Sequence, residues 1–245
     1  MDHVIYTAMS AASGALNRQA VTAGNLANSS TTGFRAQLSA FRAAPVEGDT
    51  MQTRTLVVES TPGHDATPGP VMRTGRSLDV AMPQDGWLAV MKPDGSEAYT
   101  RNGAIESDSQ GALFVAGQPL MGEGGPLVAP PQANLTIAPD GTISALGAGD
   151  DPAAVTPVGR LKMVSTPMNA LRHGDDGLFY SLDGNPLARA NGLRLETESL
   201  EGSNVSPVKA MTEMIASSRG FEMNMKVIRT ADENDQKANQ LLSVS

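Results

Sequence analysis

Large apolar residues near the start of the chain recur at alternating intervals of four and three. They are Ile5, Met9, Ala12, Leu16, Gln19, Ala23 and Leu26, with Gln19 the polar exception. That period holds one stripe on one side of a helix, so it predicts a helix over about residues 3–27. Asn28-Ser29-Ser30-Thr31-Thr32-Gly33 then stops it, a run of turn formers closing on a glycine that can take positive φ. The other end of the chain repeats the logic. Ser206 is placed to cap and Pro207 to open a second long helix. Its stripe runs through Met211, Met214, Ser218, Phe221, Met225 and Ile228, then thins through Asp232, Asp235 and Asn239 before Leu242.

Between the helices the period changes. Short β-type runs alternate with turn chemistry: Trp87-Leu88-Ala89-Val90-Met91, then Pro93-Asp94-Gly95, then Ala98-Tyr99-Thr100-Arg101. Pro139-Asp140-Gly141 separates Leu135–Ala138 from Thr142–Ala145 in the same way, and Asn102-Gly103 reads as a third tight reversal. The fold class expected is α+β, mainly β: a central antiparallel domain flanked by terminal helices that pair as a coiled-coil-like hairpin. The divisions are 1–34 for the first helix and its turn, 35–75 for an extended connector with little regular structure, 76–200 for the β domain, and 201–245 for the last helix. Gly147–Pro157 reads as a surface loop.

Charge sharpens this division. Residues 1–50 carry three acids and three bases, and residues 207–245 carry five of each, out of 26 acids and 18 bases in the chain. The whole net charge of −8 therefore sits in residues 51–206. From Val4 to Phe34 the one charged side chain is Arg18. A helix with a narrow apolar stripe and almost no charge is not stable alone, because helical stability comes mostly from burying the stripe. Its nearest partner is the helix at the other end. Small residues at Ala8, Ala11, Ala15 and Ala20 leave a second face open to close approach by further helices. Methionine is abundant, 13 residues, and a methionine-lined stripe suits either core filling or contact with non-identical neighbours.

The acidic balance argues against nucleic acid as a partner, since phosphate binding draws on clustered Lys and Arg. No apolar run is long enough for a membrane span, and the first twenty residues lack the pattern of a cleaved signal peptide, so direct membrane insertion is not expected. With no cysteine, disulfides and thiolate chemistry are absent. The three histidines, His3, His64 and His173, lie far apart without metal-ligand spacing. The acid pairs Asp150-Asp151 and Asp175-Asp176 read as solvated loop residues rather than calcium ligands or an acid/base couple. Gly122-Glu123-Gly124-Gly125-Pro126 lacks the Lys-Ser/Thr of a phosphate loop and reads as a turn. No catalytic residue, metal or cofactor is expected. A β-rich glycan-binding module or hydrolase using the acidic loops is the rival from another class.

Asn25-Leu26-Ala27-Asn28-Ser29-Ser30-Thr31-Thr32-Gly33-Phe34-Arg35 resembles the N-terminal signature of flagellar rod and hook proteins. Leu200-Glu201-Gly202-Ser203-Asn204-Val205-Ser206-Pro207-Val208 is similar to their second signature, and Arg219-Gly220-Phe221-Glu222 with Lys226-Val227-Ile228 continues it. The opening Met1–Met9, Asp85-Gly86-Trp87-Leu88 and Tyr99-Thr100-Arg101-Asn102-Gly103 resemble the proximal rod subunits; distal rod and hook subunits share the terminal motifs. The resemblance implies a non-enzymatic subunit exported through the flagellar type III export apparatus without signal cleavage. It implies assembly in the periplasm-spanning rod, against neighbouring rod subunits, proximal and distal, and copies of itself. The residues expected to carry helix packing and assembly are Ile5, Met9, Leu16, Asn25, Leu26, Asn28, Gly33, Phe34, Met211, Met214, Phe221, Met225, Ile228 and Leu242.

Overall fold

A computed structural model describes residues 2–45, 55–83, 85–147 and 155–243. They form two compact units. One comprises Met1–Ser29, Gln37–Gly63 and Val205–Ser245; the other comprises Ser30–Ala36 and His64–Asn204. The class is α+β and mainly β, with the two terminal helices packed on each other as expected.

In the first unit, α1 spans Asp2–Ala27 and α2 spans Pro207–Ser243. They run antiparallel: Val4 lies beside the Met223–Asn234 stretch, and Ala11–Arg18 beside Ala216–Asn224. The end of α1 is closed by side chains, which satisfy carbonyls that a helix terminus leaves without partners. Asn28 Nδ2 donates to Gly24 O and Ser29 Oγ to Leu26 O. At the start of α2 the Ala210 amide donates to Ser206 O at 2.9 Å, and Ser206 Oγ accepts a long 3.5 Å bond from the Lys209 amide.

The register of the helix pair differs from the sequence expectation. On α1 the buried positions are Ala8, Ala12, Gly14, Ala15 and Thr22, and on α2 they are Ala210, Ser217 and Ala231. Met214, Phe221, Asn224 and Ile228 are half-buried between the α2 positions, so the 4,3 spacing continues to Ala231 without thinning. Small residues take the seam because they let two backbones approach closely. The larger Met9, Leu16 and Met211 are left outside it.

The stretch 35–75 also departs from expectation. Gln37–Pro45 and Thr55–His64 are strands that pair as a two-stranded sheet, and Val71–Arg73 pairs antiparallel with Ser199–Glu201. The alternation Gln37-Leu38-Ser39-Ala40-Phe41 has a strand's period. Pro62 is tolerated because every strand of a two-stranded sheet is an edge. Residues 46–54 of this stretch lie outside the described residues.

The second unit is built from antiparallel sheets. Its largest has the order Met163–Ser165, Gly86–Met91, Glu97–Thr100, Phe179–Ser181, Leu171–His173. The strand Gly86–Met91 is apolar throughout because both its faces are covered. Leu88 and Val90 point into one core with Ile105, Leu113, Leu120 and Ile143, while Trp87 and Ala89 point into another with Tyr99, Val164 and Phe179. Two of the reversals fall as expected: Met91 pairs back to Glu97, and Ile137 to Ile143 across Pro139-Asp140-Gly141. Asn102-Gly103 does not close a hairpin. Asn102 Oδ1 accepts from the Ala104 amide, and the Gly103 carbonyl accepts from Val80 N, which leads the chain across to another strand. Gly122–Pro126 is a tight reversal between two short strands. Of the expected loop Gly147–Pro157, residues 148–154, with Asp150 and Asp151, lie outside the described residues; Thr156–Arg160 is a strand paired with Thr142–Leu146.

Candidate assembly interface

The helix pair leaves much of its large apolar surface uncovered. Met9 is 55% exposed, Leu16 48% and Met211 52%, and Val4, Tyr6, Val208, Ile215, Met223 and Val227 are exposed as well. Ile5, Leu26, Met214, Phe221, Met225 and Ile228 are half-buried. Leu242 belongs to α2, but its side chain lies outside the described residues. A monomer whose only partner were its own second helix would have no reason to display so many large apolar groups on one hairpin, since exposed contiguous apolar area marks interaction surfaces. Asn25, half-buried, fixes the chain after the turn within the first unit. Its Oδ1 accepts from the Gln37 amide at 2.8 Å and its Nδ2 donates to the Gln37 carbonyl at 2.9 Å, a side chain imitating a strand neighbour.

In the second unit the two signatures come together. Gly33 has φ +70 and donates its amide to the Glu201 carbonyl at 2.8 Å; a Cβ there would lie 2.5 Å from the Arg101 carbonyl carbon and oxygen. Only glycine fits such a place. Phe34, half-buried, accepts at its carbonyl from the Asn204 amide. Asn204 Oδ1 accepts from Ala36 N at 2.7 Å while its Nδ2 donates to the Asp65 and Thr67 carbonyls.

Beneath these backbones lies an ion triad that sequence reasoning did not single out. Glu201 Oε1 accepts from Arg35 Nη2 at 2.7 Å and from the Gly69 amide at 2.9 Å. Its Oε2 accepts from Arg101 Nε at 2.8 Å and Nη2 at 2.6 Å. The three side chains are 1–2% exposed. Arg101 also donates to the Met82, Pro83 and Gly86 carbonyls, and its guanidinium lies 5.5 Å from the Trp87 ring centroid. Two cations face one carboxylate, and carbonyl dipoles take up the excess. Burial, and then the Arg101 charge, lower the Arg35 pKa from its ordinary value. The signal for this triad was present in the sequence: Arg35, Arg101 and Glu201 are the charged residues inside the three signature segments Thr32–Arg35, Tyr99–Gly103 and Leu200–Asn204.

Two histidines that are far apart in sequence also meet. The His64 and His173 rings are 4.5 Å apart, each against Phe179. Burial, and then His173, push the His64 pKa down to about 4, and burial lowers His173 as well. Of the acid pair Asp175-Asp176, Asp176 accepts a hydrogen bond from the Tyr180 hydroxyl and faces Lys92 at 3.5 Å. Among the described residues no group of three His, Cys, Asp or Glu is placed to hold a metal, and no helix is long and apolar enough to cross a membrane.

The elements just described coincide with three known families. Residues 5–35 match the family described as "Flagella basal body rod protein", residues 81–145 the "Flagellar hook protein FlgE/F/G D1 domain", and residues 196–241 the "Flagellar basal body rod FlgEFG protein C-terminal". The helix hairpin and the β unit are thus those of a flagellar rod and hook protein. The flagellar basal-body rod protein FlgF of Salmonella typhimurium is 57% identical over 251 aligned residues covering all of both chains, and FlgF of Escherichia coli matches to the same extent. The flagellar basal-body rod protein FlgG of Agrobacterium fabrum is 31% identical over 87% of this chain and 89% of its own. The chain belongs to the FlgF family of flagellar basal-body rod proteins, a family of structural subunits and not of enzymes.

Proposed function

We propose that this rod subunit occupies the proximal part of the rod and assembles through its two terminal helices. The observation that carries this reading is the set of large apolar side chains left exposed on α1 and α2, in contrast to the closed cores of the β unit, where Leu88, Val90, Ile105, Leu120 and Ile143 are fully buried. Burying one such side chain is worth about 1.5–3 kcal/mol, so a few of them at a subunit contact supply the driving force of assembly. The partners are neighbouring rod subunits, proximal and distal, and copies of this chain, and the site residues are those exposed on the hairpin together with the seam that holds it. Export by the flagellar type III apparatus without signal cleavage, and residence in the periplasmic part of the basal body without insertion in the bilayer, complete the reading.

The test is expression of a chain lacking residues 2–28 in a strain without its own copy. Such a chain keeps Gly33, Arg35 and Glu201, so the β unit folds, yet it should be absent from purified basal bodies. Its normal incorporation would overturn the proposal.

A further inference from the structure

The sequence holds two Asn-Gly pairs, Asn102-Gly103 and Asn191-Gly192, and five Asp-Gly pairs. In such a pair the glycine amide nitrogen can close a succinimide ring on the side-chain carbonyl carbon before it, because glycine puts no Cβ in the way. The fold opposes this reaction at six of the seven. In every Asp-Gly pair the glycine amide is already engaged: Gly86, Gly95, Gly141, Gly177 and Gly184 donate to the Pro83, Lys92, Ala138, Gly174 and Ser181 carbonyls. Asn102 is half-buried and its Oδ1 accepts from the Ala104 amide at 3.0 Å. Gly103 is buried so closely that a Cβ there would lie 1.6 Å from the Val80 carbonyl oxygen. Asn191-Gly192 is the exception. Both residues are exposed, Gly192 has φ +83, and nothing lies within 4 Å of where its Cβ would stand. Neither the Asn191 side chain nor the Gly192 amide has a hydrogen-bond partner among the described residues. The chain is held on either side of them, where the Ala190 amide donates to the Met163 carbonyl and the Leu195 amide to the Pro139 carbonyl, both at 2.9 Å. Backbone without internal bonds between two anchors is where local motion costs least.

We infer that Asn191 is a site of spontaneous modification, converted in the folded chain through a succinimide to isoaspartate and aspartate. The Gly192 nitrogen gives up its proton and bonds to Asn191 Cγ; the Cγ–Nδ2 bond breaks, and the side-chain nitrogen leaves as ammonia. Water then opens the ring. Addition at Cγ gives aspartate, and addition at the Asn191 backbone carbonyl gives isoaspartate, in which the main chain runs through the former side chain. One water enters and one ammonia leaves, with no oxidant or reductant. Either product puts a carboxylate where an amide stood, between Arg189 and Arg194, and makes the net charge of −8 one more negative. Isoaspartate also lengthens the main chain by a methylene between the two anchors, close to Leu195, which is 4% exposed and part of the larger core. That product is a substrate for the class of methyltransferase that esterifies isoaspartyl carboxyls with S-adenosylmethionine. The inference stands apart from the assembly reading, since it concerns a loop of the β unit.

The test is a time course on the purified full chain, incubated native and, in parallel, unfolded in urea at mildly alkaline pH. Trypsin then releases Ala190–Arg194 and a second peptide beginning at Asn102, so the two Asn-Gly pairs are read separately by mass spectrometry in one digest. In the native chain Asn191 should convert more than about tenfold faster than Asn102, which has to wait for local opening. In urea the two should convert alike, which assigns the native difference to the fold and not to the dipeptide. The native rate at Asn191 should rise with pH, because the attacking nitrogen must lose its proton. With an isoaspartyl methyltransferase and labelled S-adenosylmethionine as the probe, the aged native chain should take up methyl groups, Asn191→Gln should lose most of that uptake, and Asn102→Gln should keep it. Equal native rates at the two pairs, a faster rate at Asn102, or conversion of both in urea with none at Asn191 in the native chain would overturn the inference. So would methyl uptake that Asn191→Gln leaves unchanged.

Discussion

Replacing Glu201 by Gln keeps the volume of the side chain and its bond to the Gly69 amide but leaves Arg35 and Arg101 facing each other without the carboxylate that pairs with both. Breaking a buried pair by removing one partner costs about 3–5 kcal/mol. With a urea m-value of about 2 kcal/mol per molar, the midpoint should fall by roughly 2 M. Trp87 is the only tryptophan, lies in this unit and touches Arg101, so its fluorescence reports unfolding of the β unit apart from the helices. Arg101→Met should be as costly, because it strands the Met82, Pro83 and Gly86 carbonyls along with half of the carboxylate. Arg35→Met should cost least. It leaves a balanced Arg101–Glu201 pair, and the Arg35 Nε already lacks an acceptor. The order Glu201 and Arg101 above Arg35 is the content of the prediction. A midpoint in Glu201→Gln within 0.5 M of the parent (about 1 kcal/mol at that m-value), or a larger loss for Arg35→Met, would refute the charge reasoning.

Further outcomes follow from the same geometry. Gly33→Ala should lower the stability reported by Trp87 by more than about 1 kcal/mol, whereas Gly95→Ala, also at positive φ but with open space around it, should cost less; equal losses would mean that strain and not the Arg101 contact decides. His64 and His173 are held neutral in the fold, their pKa values lowered from 6.5, to about 4 for His64. The unfolded chain therefore binds more protons between about pH 6.5 and 4, and stability falls as pH falls through that window. His64→Phe should flatten the fall, and an unchanged pH profile of the Trp87 midpoint would count against the pair. Burial raises the Tyr99 phenol to about 12, and its oxygen accepts from the Leu187 amide. In an alkaline absorbance titration one late phenolate step should vanish in Tyr99→Phe, and its persistence would assign the step elsewhere.

Both terminal helices and the two Pro-Asp-Gly reversals were legible because each rests on local chemistry: a stripe, a cap, a turn that only certain residues make. The seam was not. The eye follows large side chains, and Met9, Leu16 and Met211 have a helix's period, but two helices of one chain approach on Ala8, Ala12, Ala15 and Ala210, leaving the large residues outward. A pattern fixes the period of a helix face and not which partner covers it. The strand Gln37–Pro45 was hidden by reading 35–75 as one extended connector although Gln37-Leu38-Ser39-Ala40-Phe41 alternates, and the His64–His173 contact by a sequence separation that only the tertiary fold closes. The triad was half legible. Its three charges stand in the signatures, yet nothing local tells a buried ion from a solvated one; that depends on Gly33 and Gly69 bringing backbones close enough to shut out water.

The most direct measurement is the content of this chain in purified basal bodies when the exposed apolar face alone is altered. Leu16→Asp combined with Met211→Asp changes two side chains that already face solvent in the single chain. The Trp87 midpoint and helix content should therefore match the parent, while the chain should be missing from the basal bodies and motility lost. A doubly substituted chain that folds normally and is incorporated at the parental level would contradict assembly through these helices.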